Sequence, residues 1–411
     1  MNIKRRAYHK SNFLLPLNSG MPRSFFSFFR FFTKSILLII NIVLAVLMLC
    51  CHFIVSKGPT AFWPLGILGL VFPLILFFNV FFIVLWIIFR KWWFITISVL
   101  AVLLSWKFVS VTLAWNYWGK NEMFRKAGSF KVLGWNVEHF DIANYKKDKS
   151  VKERMVKLIQ TEEPDILCFQ EFVCDDRHKR KALFQLDSFE NAFGTPYSFY
   201  AYDKSLDFDA YHHFGIVIFS RYPIINKYYH QGTVRNYNSI YQFADIQVRN
   251  DTFRVINIHL QSTKFSTEEH EFAYRPDFDN RDTALVKSKG IIRKLKQAYQ
   301  LRSEQANQIK KAVTASPYPV ILCGDFNDIP TSYAYFTVKQ QLSDAFLGKG
   351  WGFGQTFNKI FPTLRIDNVF YDANAMQVIG YRKYKTPLVD HYPQFANFVA
   401  RSGKAGPAKV K

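Results

Sequence analysis

The sequence predicts an α+β domain, with helices packed outside paired sheets, that follows three apolar helices. Three observations point there. Charge is partitioned: residues 1–119 hold eleven Lys and Arg and no Asp or Glu, whereas residues 120–411 hold 42 basic and all 31 acidic residues. Long apolar runs fill the first part, which also carries seven of the nine tryptophans. From Phe130 onward, short β-rich runs alternate with polar helical stretches, some close enough in sequence to pair as hairpins. A chain of 411 residues is long enough for two or three units. About a quarter of the residues in a soluble domain are charged, so a stretch of this size without a carboxylate excludes a purely soluble protein. The apolar content excludes a wholly disordered one, and five cysteines are too few for a disulfide-stapled miniprotein.

The elements follow in order. A basic segment, residues 1–34, precedes an expected membrane anchor at 35–118 with runs at 35–55, 62–89 and 92–118. The first two runs carry no charge and the third only Lys107. A bilayer core of about 30 Å needs roughly 20 helical residues, so each run is long enough to span it. A signal peptide has a shorter apolar core and is not followed by two more spans. Trp63, Trp92, Trp93, Trp115 and Trp118 sit near the run ends, where amphipathic rings favour the headgroup layer. Lys107 either snorkels or faces a polar partner such as Asn41 or Asn79. Basic residues concentrate before the first run and at Arg90-Lys91, which puts those segments in the cytoplasm. Three spans then deliver the rest of the chain to the extracytoplasmic side; if the middle run does not span, the orientation reverses.

Residues 119–129 read as a connector and 402–411 as a basic tail. Between them, strands are expected at 130–136, 166–170, 215–220, 242–248, 253–259, 320–323, 368–371 and 394–400. Helices are expected at 149–162 and 283–315, the second long and basic. The pair at 242–248 and 253–259 suggests a hairpin.

Polar residues gather at the strand ends. Asn136 ends the first strand and Gln170-Glu171 the second. Arg221 follows a third in Ser220-Arg221-Tyr222-Pro223, and Asn257-Ile258-His259 closes another. Gly324-Asp325-Phe326-Asn327 follows the run at 320–323, Arg365-Ile366-Asp367 opens a strand, and Asp390-His391 precedes the last. Loops at strand ends carry function on a rigid scaffold. In this order the series resembles the endonuclease/exonuclease/phosphatase superfamily from about Phe130 to Arg401, in its membrane-anchored bacterial form. The resemblance implies a four-layer α/β/β/α sandwich of two packed mixed sheets. Taken with the three runs and the basic-residue asymmetry, it leads to the expectation of an integral, multi-pass bacterial inner-membrane protein with the catalytic domain at 130–401 extracytoplasmic.

It further implies phosphate-ester hydrolysis with Mg2+ or Mn2+ as cofactor. Such a cation prefers oxygen ligands, and it supplies an activated water and charge stabilisation. Glu171 is then the principal metal ligand, with Asn136 beside it and Asp390 completing the metal environment. His391 is the general base, oriented by Asp367. Asp325 positions the nucleophile or assists the leaving group. Asn327 and His259 donate to phosphoryl oxygens, and Arg221 is either a phosphate contact or a surface ion-pairing arginine. The family's terminal Ser-Asp-His reads Val389-Asp390-His391 here. Glu138 either adjusts metal binding or is solvated. His212 and His213 could face the cleft, but no Cys or His is spaced to make a zinc site with them. Gly350, Gly352 and Gly354 read as a flexible loop near the cleft.

The net charge of +11 on residues 120–411 favours an anionic phosphate ester, with nucleic acid, phospholipid headgroup and small phosphodiester all open. The bilayer is the other expected partner, and no protein partner is implied. The alternative of another class is a catalytically silent binding or scaffold module that retains the fold.

Overall fold

The computed structural model describes residues 23–58, 63–175, 183–207, 209, 211–231, 240–263, 268–269, 272, 281–359 and 363–401. The first 22 residues of the basic segment, Phe62 at the start of the second run, and the tail at 402–411 lie outside them.

The apolar part forms helices α1 (Arg23–Cys50), α2 (His52–Lys57), α3 (Pro64–Ile88), α4 (Trp92–Leu104) and α5 (Trp106–Thr112). Two segments, Phe31–Val55 and Pro64–Ile88, are each 25 residues long and apolar enough to cross a membrane. The third expected span is not one helix. It bends by 70° between α4 and α5 and stops at Thr112, so Trp115 leaves the bundle and pairs with Trp351. At 1.5 Å per residue the 13 residues of α4 reach only about 20 Å. Inside the bundle, Asn41 donates to Ser98 Oγ at 2.6 Å and accepts from Trp86 Nε1 at 2.9 Å. Ser98 donates on to Asn79 at 3.1 Å. Asn41 and Asn79 are therefore occupied with each other's neighbours. Lys107 does not meet Asn41 or Asn79: it is exposed, and its ammonium sits 4.6 Å over the ring of Phe336, which belongs to the following domain.

That domain contains β1 (Ala114–Trp115), β2 (Ser129–Asn136), β3 (Ile166–Cys174), β4 (Tyr197–Asp207), β5 (His213–Ser220), β6 (Ile224–Gln231) and β7 (Ile240–Val248). They are followed by β8 (Asp251–His259), β9 (Val320–Asp325), β10 (Ser343–Asp344), β11 (Trp351–Gly352), β12 (Asp367–Tyr371), β13 (Met376–Lys383) and β14 (Gln394–Ala400). One six-stranded sheet runs β13-β14-β2-β3-β5-β4 and the other β10-β12-β9-β8-β7-β6. Both are mixed, because β2–β3 and β8–β9 pair in parallel within otherwise antiparallel ladders. The hairpin β7–β8 forms as expected.

The sheets pack face to face through Phe130, Val132, Ile166 and Cys168 on one side and Val255, Ile321, Cys323 and Val369 on the other. Helices α6 (Ser150–Glu162) and α7 (Leu186–Phe193) cover the outside of the first sheet through Met155, Ile159, Phe189 and Phe193. Helices α8 (Arg281–Thr314) and α9 (Tyr333–Lys339) cover the second through Ala306, Ile309, Tyr335 and Val338. This is the four-layer sandwich. A further short helix, α10 (Ala345–Lys349), leads into β11. Strands β4, β6 and β13, and the two-residue strands β1, β10 and β11, were not expected from sequence. The described side chains of β6 are mostly exposed, so it lacks the apolar run that marks a buried strand.

Candidate active site

Alternation along the strands builds the site. Side chains on a strand repeat every two residues. Inner-face positions 130 and 132 therefore continue to Asn136, 166 and 168 to Gln170, and 253 and 255 to Asn257 and His259. Likewise 321 and 323 lead to Asp325, and 369 leads back to Asp367. Strand direction then brings these to one end, because β2, β3, β8 and β9 finish there while β12 begins there. Just below the site, Gln170 Nε2 donates to Asn257 Oδ1 at 2.6 Å, and Asn257 donates to the carbonyls of Phe169 and Val217. These bonds tie the two sheets together under the reacting groups.

Glu171 would by parity point outward. It sits in a bulge of the β3–β5 ladder with φ 49°, which turns its carboxylate inward. Its oxygens lie 3.5 Å from His139 Nε2 and 3.6 Å from His259 Nε2. Asp325, 1% exposed, accepts from Asn136 Nδ2 at 3.1 Å and from the Asn327 backbone N–H at 2.7 Å. His391 Nδ1 is 2.9 Å from Asp367, while its Nε2 faces Asp325 at 3.7 Å. Trp135 Nε1 donates to the His391 carbonyl, and Thr356 Oγ1 accepts from the backbone N–H groups of Ile366 and Asp367. Both sides of the His391–Asp367 pair are thus fixed.

Electrostatics follows from burial. It pushes the Glu171 carboxyl up to about 7, against the opposing pull of His391. It pushes Asp325 to about 7 as well, with Asp367 adding to the effect. Burial pulls His259 down to about 3, with His391 contributing, and His139 down to about 4. His391 is the exception: burial would lower it, but Asp367 and Asp325 outweigh that and hold it well above the ordinary imidazole value.

The expected residues Asn136, Glu171, His259, Asp325, Asn327, Asp367, Asp390 and His391 come together. Some differ in detail from expectation. Both N–H groups of the Asn327 amide are committed, to Leu260 O at 3.0 Å and to Asp325 at 3.3 Å, so it braces Asp325. The His259 side chain is wholly buried beneath the carboxylates. Asp390 pairs with Lys359 at 2.8 Å on the rim. Glu138 is not simply solvated, because it accepts from the Asp390 N–H at 3.2 Å and lies 3.6 Å from Lys359.

Arg221 does not join them. Ser220 pairs with Ile166 at the far end of β3, and Arg221 turns to Asp165, donating its backbone N–H to the Asp165 carbonyl. The five residues from Ile166 to Glu171 put it about 17 Å from the site. Nor do His212 and His213 face the cleft: His212 is bound to Asp209 at 2.8 Å and His213 stacks on Tyr202. Gly350 and Gly352 belong to the segment that pairs with β1, not to a free loop. Sequence reading missed His139, Lys359 and Thr356. His139 lies in a run of four consecutive left-handed residues, Glu138 to Asp141, with φ between 41° and 61°. Each such non-glycine residue costs about 1–2 kcal/mol. Its nearness to Asn136 in the chain was the available signal.

Half-buried Glu171 with buried Asn136 and Asp325 offers an oxygen set suited to a hard divalent cation. A second grouping, Asp325, Asp367 and His391, also has its donor atoms within 4.8 Å of one another. There the His391–Asp367 contact is itself a hydrogen bond, which argues for a proton-handling pair instead.

A model of the Endonuclease/Exonuclease/phosphatase family matches residues 133–391. The chain belongs to the endonuclease/exonuclease/phosphatase family. A domain of unknown function, DUF8431, matches residues 34–112, the apolar bundle. Solved structures similar to the chain include the human Nocturnin catalytic domain with bound sulfate anion, 17% identical, covering 67% of this chain and 95% of that one, with TM-score 0.46. An endonuclease/exonuclease/phosphatase from Bacteroides vulgatus is 16% identical, covering 66% and 99%, with TM-score 0.46. A humanized D. rerio TDP2 is 14% identical, covering 66% and 99%, with TM-score 0.44. No curated protein matches the chain.

Gly324 has a steric reason in this chain. A Cβ there would lie 2.1 Å from the Ile258 carbonyl oxygen, so β9 can approach β8 only with glycine. Gly324→Ala should cost about 1–3 kcal/mol in thermal or denaturant unfolding. It should also reduce turnover, because the displaced backbone carries Asp325.

Proposed function

We propose that the chain is a membrane-anchored, divalent-metal-dependent phosphoesterase. The observation that carries this reading is the His391–Asp367 hydrogen bond beside the carboxylate and amide oxygens of Asp325 and Asn136, with His391 Nε2 facing Asp325 at 3.7 Å. Mg2+ or Mn2+ held by Glu171 and Asn136, with Asp390 at the edge, would polarise the phosphoryl oxygens and acidify a water. Once deprotonated, which Asp367 and Asp325 shift toward alkaline pH, His391 Nε2 takes the proton of the attacking water, and Asp367 holds the ring and balances the imidazolium. Asp325, fixed by Asn136 and Asn327, orients the water or the leaving oxygen. Neutral His259 sits below, setting the carboxylate positions without adding charge.

The test is hydrolysis of bis(p-nitrophenyl) phosphate by the full chain in detergent micelles. Activity should require Mg2+ or Mn2+ and vanish in Glu171→Ala and His391→Ala. Binding of phosphate esters with no turnover would instead favour a silent scaffold.

Metal affinity should depend on pH in a defined sense. A carboxyl raised to about 7 is mostly protonated at pH 6 and mostly ionised at pH 8, so protons compete with the cation on the acid side. Mn2+ binding measured calorimetrically should be about tenfold weaker at pH 6 than at pH 8 for release of one proton.

The domain packs on the bundle at the Gly58, Gly66 and Gly69 end, away from Arg90 and Lys91. With Arg90 and Lys91 cytoplasmic, the catalytic domain is extracytoplasmic. A phosphatase reporter fused after Lys411 should be active outside the cytoplasm, and activity confined to the cytoplasm would reverse the orientation.

A further inference from the structure

We infer that the site acts on the headgroup phosphate of a lipid lying in the same bilayer as the apolar helices, and not on an ester arriving from solution. This rests on the phosphoesterase reading above and goes on to name its substrate class.

The anchor and the catalytic groups share one end of the sandwich. The chain leaving β9 passes through Asp325 and Asn327 and docks directly on α3, where Thr331 Oγ1 donates to the Gly69 carbonyl at 2.9 Å. The chain entering β12 does the same from the other side: Leu364 and Ile366 cluster with Ile329, Phe357 and Leu70 of α3. The Phe357 ring is 5.0 Å from the ring of His391. A single aromatic side chain therefore links the general base to a cluster that includes a residue of the spanning helix.

Helix length fixes the depth. About 20 residues at 1.5 Å each cross a 30 Å hydrocarbon core. Counted back from Ile88, that length puts the near edge of the core at Gly69. Thr331 thus meets the helix at the membrane surface. The four residues from Asn327 to Thr331 extend at most about 14 Å. Headgroups occupy about 5–8 Å beyond the core. The reacting centre lies within reach of that layer.

No spacer lifts the domain away. The Tyr299 hydroxyl donates to the Gly66 carbonyl at 3.2 Å, and a Cβ on Gly66 would come within 2.9 Å of the Tyr299 ring. Buried Arg365 donates to the Val111 carbonyl at the end of α5 at 2.8 Å. Beyond α5 the chain lays Trp115 and Tyr117 against Trp351, with Trp118 edge-on to Tyr117, and all four residues are more than half exposed. An exposed aromatic cluster continuous with spanning helices is what a headgroup layer accepts. At the site rim, Lys359 is held by Asp390 and Glu138.

The experiment reconstitutes the full chain with Mn2+ in phosphatidylcholine vesicles containing phosphatidylglycerol and phosphatidic acid. Release of headgroup or phosphate is followed by phosphorus NMR. The deacylated counterparts of the same lipids, a single-stranded oligonucleotide and bis(p-nitrophenyl) phosphate are run in parallel. Lipid should be turned over about tenfold or more faster than its deacylated counterpart, because a shared bilayer raises the effective concentration. The Trp118→Asp/Trp351→Asp variant should lose most lipid turnover while hydrolysing the aryl diester at the native rate. If the aryl diester is cleaved but the lipids are not, or if deacylated esters or oligonucleotide are cleaved as fast, the lipid assignment fails and the phosphoesterase reading stands. If the aryl diester is not cleaved either, the phosphoesterase reading fails first.

Discussion

Asp367→Asn should lower phosphoester turnover by about 10²–10⁴-fold while leaving the chain folded. The substitution keeps the size of the side chain and its place at the start of β12, where Thr356 Oγ1 accepts the residue's backbone N–H at 3.1 Å. It removes the carboxylate that accepts from His391 Nδ1 at 2.9 Å. An amide can present its N–H₂ to that nitrogen and so favour the wrong tautomer, with the proton on the nitrogen that must act as base. The pH profile separates this from a folding defect. The carboxylate raises His391 above its ordinary value, so removing it lets His391 lose its proton at lower pH. The acid limb of the residual activity should therefore move to lower pH. An unchanged limb with reduced melting temperature would mean that Asp367 is merely structural.

Arg365→Ala should destabilise the full chain by about 3–5 kcal/mol. The guanidinium is 1% exposed and meets Asp344, itself 3% exposed, at 2.6 Å. It also donates to Asn368 and to the Val111 carbonyl, so one side chain joins β12, β10 and the last helix of the bundle. Truncation leaves a buried carboxylate without its counter-ion, a larger loss than the pair's net worth. Asp344→Ala should cost a similar amount, and Arg365→Met combined with Asp344→Leu should recover part of it. Thermal unfolding in micelles measures all three. Additive losses in the double variant would show that the two residues do not act as a pair.

Much of the site was legible because strand alternation and strand ends are written in the chain. Asn136, Asp325 and Asp367 follow from those two features, whereas His391 lies three residues before β14 and is placed by the segment that leads into it. Arg221 shows where the rule stops. It closes β5 as Glu171 lies near the close of β3, but β5 runs antiparallel to β3, so its end points the other way. A motif marks a strand end without saying which end of the sheet it serves. Glu171 itself depends on a bulge and a left-handed backbone that no residue type announced. In the bundle, apolar composition continues across Ser105 and conceals the 70° bend. Trp115, expected within the third run, lies beyond the last helix of the bundle and packs edge-on against Trp351.

Anomalous scattering from Mn2+-soaked crystals of the full chain tests the central claim most directly. The account predicts a peak about 2.0–2.3 Å from a Glu171 carboxylate oxygen, with Asn136 beside it and the His391–Asp367 hydrogen bond intact. A peak seated among Asp325, Asp367 and His391 with that bond broken, or no peak at saturating Mn2+, would contradict it.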